Sequence, residues 1–273
     1  MRWPVVRPER LSQPNEELPY PPEQMRLLVG SADLSLFDNP IGRLVVQDVP
    51  VEAYDSVLDF GCGCGRIARQ LIQQDPAPRA YLGIDVHRGM IQWCRENLAP
   101  RAPGFRFEHH DAYNRGLNPD GKREDVSFPA AAGSFSLVNA WSVFTHLLES
   151  QISHYLSEVA RVLQPEGYFQ STWFLFDKTD YPMMQEFQNA LYINDVDPTN
   201  AVIVDRQWLM MQIAARGLKL VSALPPKIRG FQWVLLMAHR GHPRPEAELP
   251  EDRAATGIRR PPLLPPDADK IGL

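Results

Sequence analysis

Short, strand-length runs rich in apolar residues alternate with stretches of helical spacing through the middle of the chain. The runs lie near 55–60, 80–85, 105–109, 135–140 and 167–174, and apolar residues recur with helical period near 66–74, 88–98 and 150–163. An apolar run of strand length without polar alternation is what a strand covered on both faces looks like. Strand and helix in regular alternation predict an α/β fold, with a mostly parallel sheet and helices on both faces. Right-handed crossovers then bring the carboxyl ends of those strands to one edge. A further helix is expected near 206–215, followed by strands over 218–222 and 231–238. The turn at Pro225 and Pro226 makes those two an antiparallel pair, so the sheet should hold seven strands with an antiparallel last strand.

Three segments fall outside this alternation. Residues 176–205 are too long for an ordinary connection, and carry Tyr181, Met183, Met184, Phe187, Leu191, Tyr192 and Ile193, several of them on one face if helical. They read either as a helix packed on the core or as an inserted substrate cover, in which methionines and aromatics adapt to an organic ligand. Prolines crowd both ends of the chain, which forbids central strand and regular helix. Residues 1–39 therefore read as an arm that could cap an active site, 40–240 as the body, and 241–273 as a disordered tail that contributes little to a core.

Chemistry concentrates where the first apolar run turns into glycine. Val57-Leu58-Asp59-Phe60-Gly61-Cys62-Gly63-Cys64-Gly65-Arg66 is a buried strand with an acid near its end, followed at once by a glycine loop and a helix. Glycines permit positive φ and a close approach of backbone to ligand, and a strand–glycine–helix junction is where α/β sheets hold nucleotides. A second acid, Asp85, ends the next strand 20 residues beyond Gly65, the offset at which a carboxylate takes ribose hydroxyls.

These residues resemble the class I methyltransferases that use S-adenosyl-L-methionine. That family follows an acid on its first strand with G-x-G-x-G, as Asp59, Gly61, Gly63 and Gly65 stand here. The likeness continues through Gly83-Ile84-Asp85-Val86, Phe107-Glu108-His109-His110-Asp111-Ala112, Phe135 to Ala140, and Leu156 to Phe169, so that it covers roughly residues 40 to 238. It implies a Rossmann-like class I methyltransferase fold with S-adenosyl-L-methionine as cofactor. By the same resemblance, Gly61, Gly63 and Gly65, with Phe60 before them, should approach the methionyl part, and Asp59 should face its ammonium directly or through water. Asp85 should take the ribose and Val86 the adenine face. Asp111 should accept from the adenine amino group and Ala112 donate its N–H to the ring, the bland alternative for Asp111 being a cap or turn. A backbone carbonyl of Asn139 or Ala140 is a further candidate for the ammonium.

Val143-Phe144-Thr145-His146-Leu147 lies where an acceptor should enter and resembles a pattern in bacterial small-molecule methyltransferases, including ones in saccharide and secondary metabolism. Histidine is the side chain best suited to take a proton near neutrality, so His146 is the candidate catalytic base. The alternative is that Thr145 and His146 make hydrogen bonds that fix the loop. His109 and His110 are adjacent on a strand and point to opposite faces, so no metal site is expected from them.

Composition narrows the rest. With 28 basic and 33 acidic residues and a net charge of −5, the chain has no electrostatic footprint for nucleic acid. No signal peptide or membrane span is legible in the sequence, which predicts a soluble, cytoplasmic protein acting on a small-molecule acceptor. The 3 cysteines, Cys62, Cys64 and Cys94, read as small buried thiols rather than a disulfide framework or a metal set. A dehydrogenase shares the strand, glycine turn and distal acid, but its third glycine usually comes one residue later. A non-catalytic partner subunit of the same fold is the other reading.

Overall fold

The computed structural model describes residues 18–251 apart from 195, 228 and 229. The expected alternation is present: β1 (Ser56–Phe60), α2 (Arg66–Gln73), β2 (Ala80–Asp85), α3 (Arg88–Asn97), β3 (Phe105–His109), β4 (Phe135–Ala140), α4 (Glu149–Val162) and β5 (Leu163–Phe176) follow in order. A short helix, α1 (Glu23–Leu28), precedes them. Every residue of β1 and β4 is buried, as continuous apolar runs require of strands covered on both faces. The spatial order is β3-β2-β1-β4-β5, all parallel. The chain winds outward from β1 through β2 to β3 and then returns to the other side of β1. The carboxyl ends of β1 and β4 therefore flank the point of reversal, where such sheets bind ligands.

After α5 (Arg206–Ala215) come β8 (Leu218–Leu224) and β9 (Trp233–His239). They pair antiparallel, and β9 lies antiparallel along β5 from Tyr168 to Trp173. Trp173 and Trp233 stand opposite one another with no more than 1 % exposure. The Arg206 guanidinium lies 4.9 Å over the Trp233 ring.

Among the described residues the sheet holds nine strands where the pattern predicts seven. The extra two, β6 (Ala190–Tyr192) and β7 (Val202–Asp205), come from the 176–205 segment, whose described residues form no α-helix. The reason lies in β5. Its pairing with β4 ends at Ser171, yet it continues to Phe176. Residues 174–176 present unpaired backbone that β7 satisfies in parallel and β6 extends. Of the apolar residues with helical spacing, Tyr181, Met183, Phe187, Tyr192 and Ile193 are exposed, and Met184 and Leu191 are half-buried.

Residues 18–38 are pinned by one buried cation. Arg69 of α2, 2 % exposed, donates to the carbonyls of Leu18, Pro19 and Phe37, pairs with Asp38, and stacks on Tyr20 at 3.7 Å. The far end is also held. The Ala247 N–H donates to the Leu220 carbonyl at 2.9 Å, Arg206 donates to the carbonyls of Leu249 and Pro250, and Ala247 and Leu249 pack on the core. Residues 243–251 are thus a docked strap and not the dispensable start of a tail. The rest of the expected tail, and residues 1–17 of the arm, lie outside the described residues.

Ending the chain after His242 rather than after Glu251 should therefore destabilise it by about 1–2 kcal/mol, from the edge hydrogen bond, the bonds from Arg206 and partial apolar burial. In a thermal melt that is a drop of roughly 3–8 °C for a domain of this size. Equal melting temperatures would show that the strap rests on the body without stabilising it.

Candidate cofactor and acceptor site

The carboxyl edge of the sheet gathers the glycine loop after β1, Asp85 at the end of β2, the 109–122 loop after β3 and the 141–148 loop after β4. Gly61, Gly63 and Gly65 all have positive φ, at 79°, 53° and 82°, conformations that only glycine adopts without strain. The loop is fastened to the next strand. The Gly61 and Cys62 N–H groups both donate to the Ile84 carbonyl, and the Gly63 N–H donates to the Asp85 carboxylate at 2.8 Å. The other oxygen of Asp85 accepts from the His87 N–H at 2.7 Å. Burial pushes the Asp85 carboxyl up, against those two bonds. Asp85 therefore holds the loop's shape as well as standing where ribose is expected.

Asp59 lies beneath the loop, 1 % exposed. One oxygen accepts from Asn139 Nδ2 at 2.7 Å and the other from the Tyr81 hydroxyl at 2.8 Å, while Asn139 Oδ1 accepts from Gln170 Nε2 at 3.1 Å. Burial pushes its carboxyl up to about 6. In this arrangement Asp59 acts at one remove, as fixed negative charge below the loop. Gly83, opposite Asp59 in register, leaves room for this crossing, since a Cβ there would come within 2.9 Å of the Tyr81 hydroxyl. Tyr81 and Gln170 carry no motif signal; only the buried acid needing partners could have pointed to them.

Other expected residues take different positions. The Phe60 ring turns inward against Phe128 and Tyr155, leaving only its backbone at the site. Ala140 is fully buried in the core. The Ala112 N–H donates to the His110 carbonyl at 2.8 Å, so it is engaged within the protein. The Asp111 carboxylate is 42 % exposed and accepts from Asn118 Nδ2 at 3.3 Å. His109 Nε2 meets the Val86 carbonyl at 3.0 Å and His110 Nε2 meets the Tyr155 hydroxyl at 2.7 Å. Burial lowers the His110 imidazole to about 4. Among the described residues no group of three His, Cys, Asp or Glu is arranged to hold a metal ion. All three cysteines are buried and free.

Two side chains close over the glycines. A Cβ on Gly61 would come within 2.3 Å of Val143 Cγ2, and one on Gly63 within 2.6 Å of Val29 Cγ1. Val29 follows α1, so the described part of the N-terminal arm reaches the loop directly. The Arg66 guanidinium donates to the Val29 carbonyl at 3.3 Å.

The loop after β4 is held in a special conformation. Ser142 has φ of 58°, an uncommon state for a non-glycine residue. It is fixed by Thr172, whose hydroxyl accepts from its N–H, and by Gln232, which donates to its hydroxyl. Thr145 Oγ1 is buried without a hydrogen-bond partner among the described residues, so it does not fix the loop as the alternative reading expects. His146 does make a bond: its Nδ1 lies 2.9 Å from the Thr199 carbonyl, in the segment between β6 and β7. A carbonyl only accepts, so Nδ1 carries the proton and the neutral ring has its lone pair on exposed Nε2.

Fold and site together give an α/β domain with an antiparallel strand beside β5, a glycine loop after β1 and an exposed imidazole in the loop after β4. Residues 57–167 match the family model described as "Methyltransferase domain". Residues 57–167 are therefore similar to a methyltransferase domain, and this similarity supports S-adenosylmethionine, not a nicotinamide, as the cofactor. The chain is 35% identical over 118 residues to phthiotriol/phenolphthiotriol dimycocerosates methyltransferase 1 of Mycobacterium ulcerans, and 34% identical over 118 residues to fatty-acid O-methyltransferase of Mycolicibacterium smegmatis. Each match takes in 42% of this chain and 36% of the relative, so the chain spans little more than a third of the length of these relatives. The structure of a geranyl diphosphate methyltransferase in complex with GPP and sinefungin superposes with a TM-score of 0.50 over 70% of this chain and 74% of that one, at 13% identity. That likeness is one of fold.

The donor set suits the cofactor: an acid at the end of β2 for the ribose, and Asp59 and Arg66 of opposite charge beside the glycines for an amino-acid end. Two outcomes follow. Asp85→Ala should weaken S-adenosylhomocysteine binding by roughly 1.5–3 kcal/mol and also lower the melting temperature, because two backbone N–H groups lose their acceptor. Unchanged affinity in calorimetry would place the ribose elsewhere.

The second concerns Asp59. A carboxyl whose folded pKa is raised to about 6 contributes stability that is complete below its unfolded value and lost as pH rises through 6. Without ligand, Asp59→Asn should therefore gain on wild type between pH 4 and pH 8, by on the order of 2–3 kcal/mol. Parallel stability–pH curves for the two proteins would show that Asp59 is not the group responsible.

Proposed function

We propose that this protein transfers the methyl group of S-adenosylmethionine to an oxygen or nitrogen of a small organic acceptor, with His146 as the general base. One observation carries the reading: the family-matched segment brings the glycine loop, Asp85 and the exposed imidazole of His146 to the same sheet edge. When bound, the cofactor supplies an electrophilic methyl on a sulfonium. The residues of the chain do the rest. The glycine loop, Asp85 and Asp111 would hold the cofactor, the 141–148 loop would position the acceptor, and His146 Nε2 would take its proton. Holding two reactants in attack geometry is worth on the order of 7–11 kcal/mol, so the base adds to a rate that positioning dominates.

The acceptor we favour is one with an apolar body. Met183, Phe187, Ile193 and Val196 are exposed within the segment whose Thr199 carbonyl orients His146. The 141–148 loop adds Trp141, 37% exposed. A polar reacting atom at Nε2 would leave the apolar remainder of the acceptor to rest on this wall. The name of the fatty-acid O-methyltransferase of Mycolicibacterium smegmatis is compatible with that choice.

S-adenosylmethionine should bind in the micromolar range, on the order of −8 kcal/mol, and a mass screen of apolar acids, alcohols and amines should find one that gains a methyl group. With that acceptor, His146→Ala should lower turnover about 10²-fold with cofactor affinity unchanged, and the pH–rate profile should lose its acid limb. A variant that loses rate and cofactor affinity together would assign His146 to loop structure instead.

A further inference from the structure

Arg66 and Arg69 lie one helical turn apart on α2, and their surroundings differ sharply. The Arg69 guanidinium is filled by three carbonyls and Asp38. Arg66, half-buried, has one hydrogen bond among the described residues, at 3.3 Å to the Val29 carbonyl, and no carboxylate within ion-pair distance. A guanidinium offers five donors in a planar fork shaped for a carboxylate, and keeping one out of water without a counter-ion is costly. The acid nearest in effect is Asp59, but both its oxygens already accept from Tyr81 and Asn139. The cation is therefore left with donors to spare at the rim of the glycine loop.

Its place says which anion fits. Arg66 directly follows Gly65, and its guanidinium ends at Val29, the residue lying against Gly63. Asp59 lies below the same loop on the strand that enters it. A fixed negative charge and a fixed positive charge thus flank Gly61 to Gly65, in the polarity that receives the ammonium and carboxylate of an α-amino acid.

We propose that Arg66 anchors the carboxylate of the cofactor's amino-acid end, giving up the Val29 carbonyl when that carboxylate arrives. This rests on the cofactor reading above. It touches the N-terminal arm as well, because the Val29 carbonyl is the group that Arg66 gives up, while Val29 itself stays packed beside Cys64 and Met90.

The test compares two ligands that differ at that end. S-adenosylhomocysteine carries the amino acid, whereas 5′-methylthioadenosine has the same nucleoside and thioether without it. Calorimetry of wild type, Arg66→Gln and Arg66→Lys with both should show Arg66→Gln losing about 10- to 100-fold for S-adenosylhomocysteine, the worth of a charge-assisted bond. Its affinity for 5′-methylthioadenosine should change by less than about 3-fold. Arg66→Lys, keeping the charge without the fork, should fall between, and it carries the test if the glutamine variant fails to fold. Equal losses for both ligands would mean that Arg66 only shapes the loop, and no loss for either would place the carboxylate elsewhere; each overturns the assignment. Wild type that binds neither ligand overturns the cofactor reading itself, an outcome visible before any variant is made.

Discussion

A buried carboxylate near the end of the central strand sets the terms for everything above it. Asp59 cannot be left unpaired in the interior, and its two oxygens recruit a phenol from β2 and an amide from β4, which in turn holds Gln170 of β5. The result is a polar ladder across four adjacent strands, with Asp59, Asn139 and Gln170 opposite one another in register. A one-residue slip of any of these strands would strand a polar group in an apolar layer. Register is therefore fixed just under the reversal point of the sheet, where the cofactor end of the site needs its loops placed accurately.

The glycine loop inherits that precision. It is tied from one side by the Ile84 carbonyl and the Asp85 carboxylate, and covered from the other by Val29 and Val143. These covers differ in kind. Val143 belongs to the 141–148 loop, whose Ser142 is locked by Thr172 and Gln232. Val29 belongs to an arm pinned farther back by Arg69 and joined to the loop by the long bond from Arg66, by the Cys64 thiol on the Met25 carbonyl, and by packing of Met25 and Val29 on Cys64 and Met90. One cover is therefore part of the sheet's own loop, and the other is carried by a segment that packs on it from outside.

The parallel core and the glycine loop were legible in the sequence because each rests on local constraints: continuous apolar runs, positive φ at fixed spacing, and an acid at a strand end. What could not be read depends on partners distant in sequence. Helical spacing between Tyr181 and Ile193 left a packed helix and an inserted substrate cover both open, because spacing records periodicity and not the unpaired edge of β5 that draws this segment into strands. The docking of residues 243–251 was hidden by their prolines, which exclude regular structure without excluding a single ladder bond to Leu220. The motif assigned Ala112 an outward N–H, and a tight turn back to His110 uses it. Arg66 closes the glycine run with nothing in its local pattern to mark it, since its shortage of partners depends on Val29 and Asp59.

The same division separates the two halves of the site. The groups proposed for the cofactor belong to β1, β2 and the loops after β1, β2 and β3, and the first two of these strands are tied into the polar ladder. The orientation of His146, by contrast, is fixed by a backbone carbonyl from the segment between β6 and β7, which the ladder does not touch. Because that partner is main chain, the imidazole keeps its tautomer whatever side chains the segment carries, as long as the β6–β7 pairing holds. Exposed residues such as Phe187, Ile193 and Val196 are then free to differ without disturbing either the proton on Nδ1 or the register under the glycine loop. A protein arranged this way can change the shape it offers an acceptor while the cofactor side of the site stays constant.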